Sequence, residues 1–154
     1  HAKSSWGTPG MNDFDRPLNG RGRASAQAIG DWLRETGHVP DLVLSSAAAR
    51  TRETYDYLRL KAEVSFRDDL YLASPGQYLK ALRGASGTCV MLLGHNPGMG
   101  DLASQIVAHA PDHGRFHDFP TAATLVAEFD GDWAELGPGK AIARDFAVPR
   151  DLLG

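Results

Sequence analysis

Residues 90–99, VMLLGHNPGM, join a short apolar run to a turn that presents His95. The four apolar residues predict a buried strand, and the glycine, asparagine and proline that follow predict a turn. Beyond the turn, apolar residues recur at the spacing of one helix face and predict a helix over 98–109. A strand, a turn and a helix in this order indicate an α/β fold with a histidine at the end of a strand.

The same order of elements recurs earlier in the chain. DLVLSS (41–46) predicts a second buried strand, and a helix over about 47–60 follows it. Gly30 lies inside another predicted helix and costs about 1 kcal/mol there relative to alanine, which indicates close packing. Alternating strands and helices predict a three-layer α/β/α sandwich with a mostly parallel central sheet. The remaining predicted elements are a helix over 20–36 between Asn19 and Gly37, a capped helix over 74–83, and strands over 88–93, 123–130 and 140–146.

Composition describes an ordinary globular domain. The 154 residues are 42% hydrophobic and 23% charged, which predicts one domain over 1–154. A formal net charge of −3 does not indicate binding to nucleic acid or to an acidic membrane surface, since both require an excess of basic residues. No apolar run in the sequence reaches membrane-spanning length. The single cysteine, Cys89, excludes an internal disulfide and fits a reducing compartment, so we expect a cytoplasmic protein.

Polar residues follow two of the predicted strands. In parallel sheets, ligands bind beyond the carboxyl ends of the strands. Ser45, Ser46, Arg50 and His95 are therefore expected to share one crevice, although they are up to 50 positions apart. Helix N-termini together with an arginine favour an anion, and phosphate is the usual one.

Five motifs together resemble the histidine phosphatase superfamily, in its small SixA-like branch, which has a phosphoglycerate-mutase-like fold. The resemblance covers nearly the whole chain, with the motifs in the family's order and spacing. The motifs are HAKSSWG (1–7), DFDRPLNGRG (13–22), LSSAAARTRET (44–54), LLGHNPGM (92–99) and FPTAA (119–123).

The resemblance implies a role for three residues. It makes His1 the nucleophile and Arg50 and His95 the groups that bind the phosphoryl oxygens, with Arg50 preferred over Arg52. The family's nucleophile ends the first strand and follows an arginine, but this sequence contains neither that arginine nor a first strand before His1. We therefore expect the natural protein to carry a segment ahead of His1 that supplies both.

Other site residues are less firmly indicated. Related enzymes have an acidic residue near the middle of the chain that protonates the leaving group, which favours Asp69 here, with Asp68 as the alternative. Ser4 is expected to line the phosphate loop. Asp13, Asp15 and Arg16 either form part of a loop over the site or make a structural ion pair.

The resemblance implies a phosphatase that acts through a phosphohistidine intermediate without metal or cofactor. Its expected substrate is phosphohistidine in a signalling protein, and phosphate or sulfate is expected to bind in the pocket. A small phosphorylated metabolite is the alternative substrate, and a domain that binds phospho-ligands without turnover is a third possibility. A zinc or copper site on His109, His113 and His117 is a fourth, although Pro111 and Gly114 interrupt the helix that it requires.

Overall fold

The computed structural model describes residues 1–6 and 8–154. Gly7, the last residue of the HAKSSWG motif, lies outside the described residues. The strands are β1 (Leu42–Ser46), β2 (Glu63–Arg67), β3 (Val90–Leu93), β4 (Thr124–Glu128) and β5 (Ile142–Ala147). The first three form a parallel sheet in the order β2-β1-β3, and β4 and β5 form a separate antiparallel pair. This arrangement confirms the predicted mostly parallel α/β fold.

Helices cover both faces of the parallel strands. They are α1 (Gly20–Glu35), α2 (Ala49–Leu58), α3 (Pro75–Arg83), α4 (Gly98–Ile106) and α5 (Pro149–Leu153). Along β3, Val90 and Leu92 pack into the apolar cluster that contains α3 and α4, whereas Met91 and Leu93 pack into the cluster that contains α1 and the end of α2. Successive residues of a strand point to opposite faces, so β3 lies between two helical layers, as predicted. Within the described residues, no helix is both long and apolar enough to span a membrane.

Local signals account for the starts of α1 and α3. Asn19 caps α1 by accepting the Gly22 N–H at 2.8 Å, and Ser74 and Gln77 form the predicted capping box of α3. The close packing predicted at Gly30 is confirmed, because a Cβ there would overlap the carbonyl group of Leu58.

The prediction that α4 extends to residue 109 is wrong. The helix ends at Ile106, and the backbone of Val107 is extended and forms a bridge with Ala141. The N–H of Ala108 donates to the Ala141 carbonyl at 2.7 Å. The helical periodicity persists beyond Ile106 because Val107 is buried in this pairing as well.

The strand register brings two polar turns to one edge of the sheet. Ser45 of β1 pairs with Leu93 of β3, so Ser46 and His95 both follow the carboxyl ends of neighbouring strands. His1 lies at the same edge, where its carbonyl accepts the Ala122 N–H at 2.7 Å and its backbone nitrogen donates to the Gly94 carbonyl at 3.2 Å.

A cavity of about 660 Å³ opens at this edge and continues between β3 and β4. Every residue of β3 and residues 122–127 contribute to its walls, together with side chains of α1 and α4. His1 lies between the end of β3 and the start of β4, because its backbone bonds to Gly94 and to Ala122.

Candidate active site

His1, Arg50 and His95 line one cavity, as the sequence predicts. The ring centroids of the two histidines are 5.2 Å apart. Arg50 and His95 are each only 2% exposed, so their polar groups are largely removed from water. Two imidazoles and a buried guanidinium in one cavity can bind and react with a tetrahedral anion.

The turn from β1 into α2 positions Arg50. The Thr51 hydroxyl donates to the Ser46 carbonyl at 2.7 Å, and the Ala48 N–H donates to Ser46 Oγ at 3.3 Å. These bonds hold the start of α2 against the strand that precedes it. Arg50 lies in the first turn of the helix, so its side chain reaches the cavity at the edge of the sheet.

Tyr78 holds the backbone of the His95 turn. Its hydroxyl accepts the His95 N–H at 2.9 Å and donates to the Leu70 carbonyl at 2.9 Å. The phenol ring lies so close to Gly94 and Gly98 that a Cβ at either position would come within 2.8 Å of ring atoms. The glycines on both sides of His95 therefore make room for the ring that fixes it.

One nitrogen of His1 is free to act as a nucleophile. Its Nδ1 lies 2.6 Å from the carbonyl oxygen of Ala2, which can only accept a hydrogen bond. The proton of a neutral ring is therefore on Nδ1, and Nε2 keeps its lone pair. Ala2 is fully buried and donates its N–H to Thr54 Oγ1 at 3.0 Å, which anchors the residue next to the histidine.

Arg50 Nε and His95 Nδ1 are the buried side-chain polar atoms that have no hydrogen-bond partner within residues 1–6 and 8–154. Buried polar groups without partners are rare in folded proteins because each costs about 1–3 kcal/mol. Both belong to residues that line the same cavity. An anion bound there would supply the acceptors that both side chains lack.

Asp13 contacts the site directly, which the sequence left undecided. Its carboxylate accepts from Arg50 Nη2 at 2.9 Å, from Arg16 Nε at 3.0 Å and from the Tyr71 hydroxyl. The bond from Tyr71, reinforced by those from Arg50 and Arg16, lowers the pKa of Asp13 to about 2. Asp13 is therefore ionised at neutral pH and holds the Arg50 guanidinium in place.

Tyr71 is a site residue that the sequence analysis missed. Its ring lies edge-on to His95, with centroids 5.4 Å apart, and the Arg50 guanidinium lies 5.8 Å from the ring centroid. Burial, followed by the bond to Asp13, raises the pKa of Tyr71. Tyr71 follows a three-residue 3₁₀ turn, Asp68–Leu70, and no motif or periodicity marks it.

The structure does not bring Asp69 to the other predicted site residues. Its two carboxylate oxygens accept from Arg67 at 3.0 and 2.7 Å, and these bonds lower its pKa. More than half of its side chain is exposed. The turn buries Leu70 and directs Tyr71, rather than Asp69, toward His95.

Ser4 lies on the cavity wall, but its hydroxyl bonds to another residue. Its Oγ accepts from Arg16 Nη1 at 2.9 Å, and Arg16 in turn contacts Asp13. Ser4 is thus linked to Arg50 through two intermediates. Its predicted contact with phosphate remains a prediction.

The three-histidine metal site finds no support in the fold. His109, His113 and His117 follow the end of α4 rather than lying along a helix, and His113 pairs with Asp151 at 2.8 Å. The part of the chain that the structure describes contains no group of three or more metal-ligating side chains.

Acid is expected to destabilise the protein through His95. Burial, with the charge of Arg50 second, lowers the pKa of His95 from 6.5 to about 3. Between these two values the unfolded chain binds a proton that the folded chain does not, so stability is lost as pH falls from about 6.5 toward 3. The loss by pH 4 is about 3 kcal/mol at roughly 1.4 kcal/mol per unit.

Thermal denaturation between pH 7 and pH 4 measures this loss. The His95→Asn variant should lose less stability than the parent over the same range, whatever its stability at pH 7. An identical pH dependence in both proteins would contradict the assignment.

Comparison with known proteins agrees with this geometry. The family model of the histidine phosphatase superfamily (branch 1) matches residues 1–78. An uncharacterized protein of Mycobacterium tuberculosis is 33% identical over an alignment that covers 97% of this chain and 99% of that protein.

Two solved structures, each named "putative phosphohistidine phosphatase SixA", are also similar. The one from Nakamurella multipartitia has a TM-score of 0.84 at 29% identity and covers 97% of this chain and 92% of its own. The one from Agrobacterium tumefaciens has a TM-score of 0.79 at 33% identity, with coverages of 97% and 94%. The chain belongs to the histidine phosphatase superfamily, and it is a phosphatase of the SixA-like branch.

Proposed function

We propose that this phosphatase removes the phosphoryl group from phosphohistidine in a signalling protein, by way of a covalent intermediate on His1 and without a metal ion. The observation that carries the proposal is the pair of partnerless buried nitrogens, Arg50 Nε and His95 Nδ1, in the cavity that His1 also lines. A dianionic phosphoryl group offers acceptor oxygens to both.

The reaction follows from these positions. His1 Nε2 attacks phosphorus in line, its new N–P bond forms, and the bond from phosphorus to the leaving nitrogen breaks. Arg50 and His95 donate hydrogen bonds to the equatorial oxygens, where charge is concentrated in the transition state. Water then attacks the phosphorus that is bound to His1, which releases phosphate and restores the free imidazole of His1.

The surroundings of the site favour a leaving group that carries its own proton. Asp13 has a pKa of about 2, and bonds from Arg67 lower the pKa of Asp69, so both carboxyl groups are ionised at neutral pH. An alkoxide leaving group needs a proton from an acid, whereas the imidazole of phosphohistidine can be protonated before the P–N bond breaks. The role of Asp69 as general acid stays a prediction. The pairing of Asp69 with Arg67 argues against that role, because it keeps the carboxyl group ionised.

The entrance of the site also favours a substrate carried by a protein. Between α2 and β3 the chain forms only β2, a short turn and α3, which leaves little backbone for a lid. Trp6 and Leu72 line the cavity and are 81% and 55% exposed. An open, apolar rim can contact a protein that presents a phosphorylated side chain. We expect that encounter in the cytoplasm, because the single cysteine, Cys89, fits a reducing compartment.

A substrate panel tests the proposal. Full-length protein should hydrolyse a phosphohistidine-bearing protein with a higher kcat/KM than any small phosphate ester, and a chelator should leave the rate unchanged. A kcat/KM more than about tenfold higher for one metabolite, equivalent to about 1.4 kcal/mol in transition-state binding, would favour the small-metabolite alternative. Binding of phosphate without hydrolysis of any substrate would favour the non-catalytic alternative.

A further inference from the structure

Ser46 is a fully buried residue whose hydroxyl contacts the ring of His95. Its Oγ lies 2.8 Å from His95 Nε2 and accepts the Ala48 N–H at 3.3 Å. The Ser46 carbonyl accepts the hydroxyls of Ser45 and Thr51 at 2.9 and 2.7 Å. The residue is therefore held from both sides, at the junction of β1 and α2.

The hydrogen bonds of this hydroxyl distinguish the two neutral forms of His95. A serine hydroxyl has one hydrogen to donate and lone pairs to accept with. If the hydrogen is donated to Nε2, the Ala48 N–H and the ring nitrogen both have partners, and the ring proton lies on Nδ1.

The opposite form leaves a hydrogen without an acceptor. If Nε2–H donated to Ser46 Oγ, the oxygen would accept twice, and its own hydrogen would have no acceptor among the described contacts of this fully buried side chain. Nδ1 has no hydrogen-bond partner in either form, so the Nε2–H form differs by one further unsatisfied buried group, the Ser46 hydroxyl. The cost of that group should make the Nδ1–H form predominate about tenfold or more.

The unpartnered atom of His95 is then a donor rather than an acceptor. Nδ1 is buried without a hydrogen-bond partner within residues 1–6 and 8–154, and its residue lines the cavity beside His1 and Arg50. Burial lowers the pKa of His95 to about 3, so the ring is neutral at pH 7 and the tautomer decides which nitrogen can donate. A lone pair at Nδ1 would repel a phosphoryl oxygen, whereas an N–H attracts it.

We propose that Ser46 is a positioning residue that fixes His95 in its Nδ1–H tautomer and so aims an N–H at the bound phosphoryl group. The inference rests on the proposed function for the identity of the anion. The tautomer itself is a property of the free protein and can be observed whether or not the protein is an active phosphatase.

Nitrogen-15 spectroscopy of the full-length protein tests the proposal directly. With histidine labelled at both ring nitrogens, two-bond proton–nitrogen correlations distinguish a protonated ring nitrogen from one with a lone pair. In the parent at pH 7, we expect Nδ1 of His95 to be protonated and Nε2 to be unprotonated. In Ser46→Ala, the two nitrogens should shift toward intermediate values, as in an exchanging mixture.

The neighbouring serine provides a matched control. Ser45 is also fully buried, but its hydroxyl donates to the Ser46 carbonyl rather than to His95. Ser45→Ala removes a hydroxyl of the same size, but the Thr51 hydroxyl still donates to the Ser46 carbonyl at 2.7 Å. The control variant should therefore leave the His95 ring signals unchanged. A protonated Nε2 in the parent, or a parent-like pattern in Ser46→Ala, would overturn the proposal.

Kinetics add a second readout. On an aryl phosphate, Ser46→Ala should lower kcat/KM by about 10- to 100-fold, by analogy with the loss found when the partner that orients a metal-bound histidine is removed. Ser45→Ala should change it by less than about threefold. Unaltered tautomers with a large kinetic loss would refute the positioning role, and no hydrolysis by the parent despite an Nδ1–H tautomer would refute the proposed function alone.

Discussion

Replacing His1 with alanine should reduce turnover by about 10⁴-fold or more, on the scale seen when other covalent enzymes lose their nucleophile. The structure gives His1 an Nε2 with a free lone pair, because Nδ1 faces the Ala2 carbonyl at 2.6 Å. Without that nitrogen the covalent route is closed, although Arg50 and His95 can still bind phosphate. The measurement is kcat/KM of the full-length variant on a phosphohistidine protein.

Trapping the intermediate identifies the nucleophile independently. Rapid quenching of the parent under non-acidic conditions, with substrate labelled in the phosphoryl group, should place an acid-labile label on His1. The exposed His109 supplies a matched control, since His109→Ala should retain both the label and the rate. Label on another residue, or undiminished turnover in His1→Ala, would show that His1 is not the nucleophile.

Arg50→Lys should lower kcat/KM by about 10²- to 10³-fold, the usual cost of losing one donor to a transition-state oxygen. Lysine keeps the charge but lacks Nε–H and the planar fork that the Asp13 carboxylate and carbonyl hold at 2.9 and 2.7 Å. The partnerless Nε–H, expected to face the anion, is absent from the variant. Steady-state kinetics on an aryl phosphate give the size of the loss.

Arg52 provides the comparison on the same helix. Its Nε donates to the Ala47 carbonyl at 2.8 Å, and its guanidinium lies over the Phe66 ring at 4.3 Å. Arg52→Lys should therefore change kcat/KM by less than about threefold. Melting temperatures of both variants show whether each is folded at the assay temperature. If Arg50→Lys and Arg52→Lys are both folded and lose kcat/KM equally, Arg50 is not the donor to the transition-state oxygens.

Strand ends that are marked by short runs of neighbouring residues could be predicted from the sequence. The apolar run before GHNPG and the serines that end DLVLSS mark two strand ends, and parallel pairing brings such ends to one edge. His1, Arg50 and His95 were predicted on that basis together with the family resemblance, and the structure places all three on one cavity wall.

Contacts between distant loops could not be predicted in this way. Asp13 and Tyr71 are joined by a hydrogen bond across 58 positions, and only the path of the folded chain brings them together. Asp69 was predicted as the general acid from its position in the chain. In the structure, the three-residue turn over Asp68–Leu70 directs Tyr71 rather than Asp69 toward His95. The tautomer of His95 likewise depends on a single hydroxyl, at Ser46, that contributes to no sequence periodicity.

Tyr78 has a consequence for how this site can vary among related proteins. Its ring occupies the space into which side chains at positions 94 and 98 would project, and its hydroxyl holds the His95 backbone. A smaller residue at 78 would release that backbone, and a larger one at 94 or 98 would expel the ring. We therefore expect relatives that keep Tyr78 to keep Gly94 as well. Gly98 should be retained even where Tyr78 is replaced, because a Cβ at position 98 would also overlap the Ala73 carbonyl oxygen.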